Sequence, residues 1–265
     1  MDNVSLSSAV SSAPSANVSS NEYQVIRATW LSRRPRESAL FVAGGMTLLL
    51  AIVSLFYEMN WFHARELMAA SGEAVFHRGE SWRLFTTIFA HGDFGHLLSN
   101  SILFFILGFF LYGHFGAWLF PVSALLGGAL TNWLVLPTYD PKMTLIGASG
   151  VVYWMGGAWL VLYFMLSKQK NLMHRWVRTI GVAILLFMPS ESFEPAISYR
   201  THFAGFAIGA LSGALQYFTH QSEFLSAQVI ETVVEPIELD PQYGLAARAA
   251  NEDPTETQIR HQSST

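Results

Sequence analysis

The residues of this chain best suited to chemistry are one serine, three histidines and one asparagine. They sit in three short motifs: His91-Gly-Asp-Phe-Gly-His96-Leu-Leu-Ser-Asn100, Gly147-Ala-Ser149-Gly150-Val-Val-Tyr153 and Thr201-His202-Phe-Ala-Gly205-Phe-Ala-Ile-Gly209. A serine hydroxyl is a weak nucleophile that needs an adjacent base. An imidazole such as His202, with an unperturbed pKa of about 6.5, can take that proton and return it. The oxyanion formed on attack needs fixed donors. The backbone N–H of Ser149, the imidazole of His96 and the amide of Asn100 are candidates. His96 and Asn100 are four apart and share one helical face. His91 is five from His96, turned by about 140° from that face, so it reads as a loop-fixing or capping group. Tyr153, one turn below Ser149, can brace an imidazole by stacking. The chemistry these residues permit is acyl transfer by a Ser149–His202 pair.

Each residue alone has a plainer reading. A serine at a helix start is usually a cap, and a single histidine is usually a satisfied polar group. Other chemistries lack their parts. There is no cysteine, no His-Glu-x-x-His and no Gly-rich phosphate loop, so a metalloprotease lacks its parts. With 15 Lys and Arg and a net charge of −4, nucleic-acid binding is not expected either.

The elements that must carry these motifs are membrane-sized. Charged residues make only 13% of 265 residues and apolar residues 51%, where a soluble domain carries about a quarter charged. No charge occurs from Ala39 to Tyr57, Leu97 to Phe115, Gly116 to Val135, Ile146 to Ser167 or His202 to Gln221, and a shorter clean run covers Thr179 to Ser190. A helix needs roughly 20 apolar residues to cross the hydrocarbon. The pattern predicts an all-α membrane protein with six spans near 39–57, 95–113, 115–135, 147–167, 176–189 and 202–219. No Asp or Glu lies inside them, so the serine–histidine pair would be a dyad.

Lys and Arg set the orientation. Arg27, Arg33, Arg34, Arg36, Lys168, Lys170, Arg175 and Arg178 fall on one side of alternating spans. Arg65, Arg78, Arg83, Lys142 and Arg200 fall on the other. Both termini are then cytoplasmic. The three motifs open spans two, four and six, which all run inward from the non-cytoplasmic face, so His96, Asn100, Ser149 and His202 share one depth. Gly205, Gly209 and Gly213 repeat every four residues, a stripe that admits a second helix closely. With Gly147 and Gly150 flanking Ser149, small residues would draw spans four and six together. A transporter would instead place ionisable groups at the midplane.

Outside the spans, residues 1–38 read as a disordered Ser-rich cytoplasmic segment and 220–265 as an acidic, mostly disordered cytoplasmic tail, around a membrane domain at 39–219. The first twenty residues hold eight serines and no basic apolar leader. The Glu58–Ala90 connection, with Trp61, Phe62 and Trp82, suits the interface and is long enough to be structured.

Gly147-Ala-Ser149-Gly150 followed by His202-x-x-Gly205, and preceded by His91-x4-His96-x3-Asn100, resembles the rhomboid intramembrane serine proteases. Trp82-Arg83 is similar to that family's Trp-Arg pair, and the likeness covers roughly residues 58–218. The resemblance implies a six-helix rhomboid-like bundle, a Ser149–His202 dyad and an oxyanion site with His96 and Asn100. His91, Gly147, Gly150, Tyr153, Gly205 and Gly209 would be in support. It implies no metal or cofactor. The implied partners are the lipid bilayer and other transmembrane proteins, cut in or near their helices. The implied location is a multi-pass position in a bacterial inner membrane, with the site opening to the non-cytoplasmic side. A rhomboid-like binder without catalysis is the competing class. Where the family often has small residues before the last histidine, this chain has Arg200-Thr201, which puts a cation at the mouth of the expected site.

Overall fold

The computed structural model describes residues 20–187 and 199–236. The first nineteen residues, the last two positions of the fifth predicted span and the tail beyond residue 236 lie outside the described residues. In chain order the elements are β1 (Ser20–Ala28), α1 (Ala39–Glu58), α2 (Ala64–Met68), β2 (Ala70–Ser71), α3 (Arg83–Thr86), α4 (Phe94–Phe115), α5 (Ala124–Val135), β3 (Thr144–Leu145), α6 (Ser149–Leu166), α7 (Leu172–Phe187), α8 (Tyr199–Thr219), α9 (Gln221–Ser226) and β4 (Val229–Pro236). The protein is mostly helical, and its long apolar helices make it an integral membrane protein.

Local chemistry sets the helix ends. α1 occupies the first charge-free run and stops at Glu58. Asp93 caps α4, its carboxylate accepting from the His96 backbone N–H at 2.8 Å, which satisfies one of the free donors of the first turn. α4 stops at Gly116, whose φ of 85° is open to a residue without Cβ. Trp118–Ser123 then form an irregular turn with a cis Phe120–Pro121 bond, and regular helix resumes at Ala124. The third apolar run, expected as a span near 115–135, runs from Trp118 to Thr138 with this irregular first part. Gly116 ends the preceding helix, proline removes an N–H, and the Phe120 ring turns inward against Gly108.

Among the described residues, four helical stretches are long and apolar enough to cross a membrane: Ala39–Glu58, Phe94–Phe115, Trp118–Thr138 and Ser149–Leu166. α7 has 16 residues and carries Arg175 and Arg178, and α8 carries Arg200 in its first turn.

α6 is the central helix: 67% of its apolar window is buried inside the protein, against 22% for α1. Val151, Trp154, Met155 and Leu162 of α6 form one core with Phe104, Leu107 and Leu111 of α4, Phe120, Tyr217 and Phe224. A smaller cluster joins Ala70, Val75, Leu84, Ala129, Leu136 and Leu145, with Tyr139 against it. There β2 pairs antiparallel with β3, Ala70 opposite Leu145 and Ser71 opposite Thr144. Arg83 is buried. Its Nη1 donates to Ala69 O at 2.9 Å and its Nε to Glu80 at 2.5 Å. Trp82 Nε1 donates to Leu67 O at 3.3 Å. The 58–90 connection is thus pinned from within.

The described residues divide into two compact units, one within residues 26–230 and one formed by the terminal stretches 20–25 and 231–236. In the terminal stretches β1 pairs with β4, and the Tyr23 hydroxyl donates to Glu235 at 2.7 Å. The sequence predicts disorder in 1–38 and, with room for a short amphipathic helix, in most of 220–265. Residues 221–226 are such a short helix, but residues 20–28 and 229–236 are paired strands. The reason lies in Val229-Ile-Glu-Thr-Val-Val, a β-branched run inside a segment that reads as acidic tail when only its charges are counted.

Candidate active site

The site is built around the first turn of α6. Gly147 has φ of 115°, and its N–H donates to Thr87 O at 3.0 Å. A Cβ there would stand 2.6 Å from His96 Cε1, so the His96 ring lies directly against this backbone. Two residues on, Ser149 is the first residue of α6 and is half-buried. A helix start presents unpaired N–H groups and the positive end of the dipole, which is the electrostatic setting a developing oxyanion needs.

His91 ties the loop before α4 to this turn. It is 1% exposed, and its Nε2 lies 3.3 Å from both the Ala148 N–H and Asn100 Nδ2. With two donors facing it, Nε2 is the acceptor nitrogen and the proton resides on Nδ1. Burial, reinforced by the nearby His96 ring 4.9 Å away, pushes the His91 pKa down to about 4. The imidazole is neutral at ordinary pH. Asn100 also donates from Nδ2 to His96 O at 3.0 Å. Both of its amide hydrogens are therefore engaged in this state, and Asn100 must exchange one of them to donate to an oxyanion.

α6 and α8 approach backbone to backbone through glycines. A Cβ on Gly205 would stand 2.5 Å from Gly150 O. One on Gly209 would stand 1.9 Å from Trp154 O, one on Gly213 2.6 Å from Ala158 O, and one on Gly157 2.3 Å from Phe206 O. No side chain fits at these crossings. The close approach sets the His202 ring flat on Tyr153, centroids 4.1 Å apart and planes 9° apart, one turn below Ser149. Among the described residues no hydrogen bond joins Ser149 to His202. Such bonds are often long before substrate binds.

Gly147, Ser149, Gly150, Tyr153, His91, His96, Asn100, His202 and Gly205 thus converge on one end of the α4–α6–α8 group, while Gly209 acts a turn further along. Among the described residues no group of three or more His, Cys, Asp or Glu could hold a metal ion.

Four contributors escaped the sequence reading. Asp93 fixes the turn that carries His96, and its place three residues before His96 is a capping pattern. Thr87 holds Gly147 through its carbonyl and donates its hydroxyl to Leu145 O. Thr201 is buried with its methyl 3.0 Å from where a Gly150 Cβ would be. Asn132 on α5 is buried and donates to Leu84 O at 3.0 Å. The last three depend on contacts between distant segments and leave no local signal.

Comparison with known proteins gives a consistent result. The Rhomboid domain family matches residues 78–217. RHOMBOID-like protein 5 of Arabidopsis thaliana is 29% identical over 159 residues, covering 57% of this chain and 49% of that protein. Rhomboid-like protein 11, chloroplastic, of Arabidopsis thaliana is 26% identical over 202 residues, covering 75% and 65%. Rhomboid-related protein 1 of Caenorhabditis elegans is 28% identical over 148 residues, covering 51% and 40%. The chain matches between two fifths and two thirds of the length of these curated relatives. Their organisms lend the expected bacterial inner membrane no support.

Proposed function

The chain belongs to the rhomboid family, and from that premise we propose that it is an intramembrane serine endopeptidase acting on transmembrane proteins. The observation that carries the proposal is the crossing of α6 and α8. Gly150 and Gly205 meet at backbone distance, and the His202 ring rests on Tyr153 beside the turn that presents Ser149.

In this reading Ser149 Oγ attacks the scissile carbonyl while His202 takes its proton. The oxyanion is received by the Ser149 N–H, with His96 against Gly147 and Asn100 as further donors. His202 then returns the proton to the leaving amine, and water resolves the acyl-enzyme by the same route in reverse. No carboxylate is needed to orient His202, because the Tyr153 face and the glycine crossing fix the plane of its ring. The six-span arrangement, cytoplasmic termini and a site opening to the non-cytoplasmic side complete the proposal, supported by the Lys and Arg distribution. Water must reach a polar site of this kind through a cavity, since such groups do not face lipid.

The test is cleavage of a reporter transmembrane substrate in liposomes. The wild type cleaves it, and Ser149→Ala and His202→Ala do not, at equal expression. Undiminished cleavage by Ser149→Ala would remove the dyad. A second reading is a rhomboid-like protein that binds transmembrane helices without cutting them. It predicts substrate capture with no product from the wild type.

A further inference from the structure

Arg200 stands two residues before His202, where a cation at the mouth of the site would be expected to meet substrate. Its geometry says otherwise. Residues two apart on a helix do not face each other, and Arg200 is turned by about 200° from His202 at 100° per residue. The guanidinium donates from Nη1 to Thr138 O and lies over the Tyr139 ring at 5.3 Å. Tyr139 in turn packs on the smaller cluster formed by Leu136, Leu145, Leu84 and their neighbours.

Three successive residues of the first turn of α8 therefore take three different neighbours. Arg200 holds the Thr138–Tyr139 turn, Thr201 is buried against Gly150, and His202 stacks on Tyr153. Helix electrostatics do not explain the choice of arginine, because a cation in the first turn opposes the helix dipole. A planar guanidinium does explain it, since it can donate to a carbonyl and cover a ring at once. The Thr138–Tyr139 turn also leads directly into β3 and the Gly147–Ser149 loop, so both members of the dyad are referred to the same stretch of chain.

We propose that Arg200 is a positioning residue, clamping the start of α8 to the Thr138–Tyr139 turn so that His202 keeps its place beside Ser149. The clamp is a property of the fold, and its effect on Ser149 rests on the dyad reading above. Two measurements on the full chain in nanodiscs separate them. Hydrogen–deuterium exchange over residues 199–206 reads the clamp itself. It is expected to quicken about tenfold in Arg200→Ala, less in Arg200→Lys, and in Tyr139→Ala, with no further gain when Arg200→Ala and Tyr139→Ala are combined.

The rate of Ser149 labelling by a fluorophosphonate reads the positioning. At a temperature well below unfolding it should fall about tenfold or more in Arg200→Ala, with kcat on a reporter substrate falling alongside and KM little changed. Arg200→Lys should recover part of both. Unchanged exchange in Arg200→Ala overturns the clamp, whether or not the protein is a protease. Faster exchange with wild-type labelling and kcat overturns the positioning role. A change confined to KM, for substrates with an acidic residue near the cut, overturns it in favour of direct recognition. A wild type that neither labels nor cleaves refutes the dyad and the positioning role with it, while the exchange result still decides the clamp.

Discussion

Replacing Gly205 by alanine puts the account of the α6–α8 crossing to a quantitative trial. The added Cβ would stand 2.5 Å from Gly150 O, and ordinary contact begins near 3.4 Å, so the helices must part locally by about 0.9 Å. The obstacle is a backbone carbonyl in the central helix, which cannot rotate away as a side chain can. Overpacking of this kind costs about 1–3 kcal/mol. More telling is where the displacement falls. Gly205 lies less than one turn from His202, and Gly150 adjoins Ser149. A misplacement of about 1 Å between reacting groups can cost on the order of a hundredfold in rate.

Gly213→Ala supplies the matched control. Its Cβ would meet Ala158 O at 2.6 Å, nearly the same clash, but Gly213 is eleven residues beyond His202, about 16 Å along the helix. The two variants should lose similar thermal stability in detergent. Gly205→Ala should lose about a hundredfold in reporter cleavage at a temperature where both are folded, and Gly213→Ala much less. Equal loss in both would mean that packing alone is being read. Full activity in Gly205→Ala would refute the view that backbone contact at this crossing sets the dyad.

Other consequences are smaller in scope. Asn100→Ala should slow cleavage by up to about a thousandfold, the range for one oxyanion donor, while leaving some activity over Ser149→Ala; kcat and KM on the reporter check this. His91 lies in the loop before α4, and burial holds its pKa near 4, below its unfolded value. The unfolded chain therefore takes up a proton that the folded chain refuses, and stability present above about pH 6.5 is lost as pH falls toward 4. Thermal unfolding at pH 7.5 and pH 5 should show that loss, with a shallower slope in His91→Gln; equal slopes would discard the assignment. Arg83→Ala removes charge-assisted bonds to Glu80 and Ala69 O in a buried setting. It should cost about 2–3 kcal/mol, measured as a lowered melting temperature.

Much of this architecture can be read from residue types because its causes are local. The charge-free runs match α1, α4 and α6 to within about three residues, since a helix crossing a membrane needs nothing but apolar length. The Gly205, Gly209, Gly213 stripe marks a close helix contact because only glycine admits one there. What escaped depends on partners distant in sequence. Nothing in the Ala90–Asn100 stretch says that Asn100 spends its amide hydrogens on His91 and His96 O. Nothing around Arg200 points to Thr138, and the eye is drawn instead to His202, two residues away. The irregular Trp118–Ser123 turn hides inside an apolar run, because hydropathy registers neither the Gly116 stop nor the inward turn of Phe120. The β1–β4 ribbon joins segments more than two hundred residues apart, beyond any local pattern.

The central claim is that Ser149 is a nucleophile activated by His202. The most direct measurement is mass-spectrometric mapping of a fluorophosphonate adduct on the purified protein in lipid. One adduct is expected, on Ser149, absent in Ser149→Ala and reduced at least a hundredfold in rate in His202→Ala. An adduct on another serine, or labelling of Ser149 that proceeds equally well without His202, would contradict it.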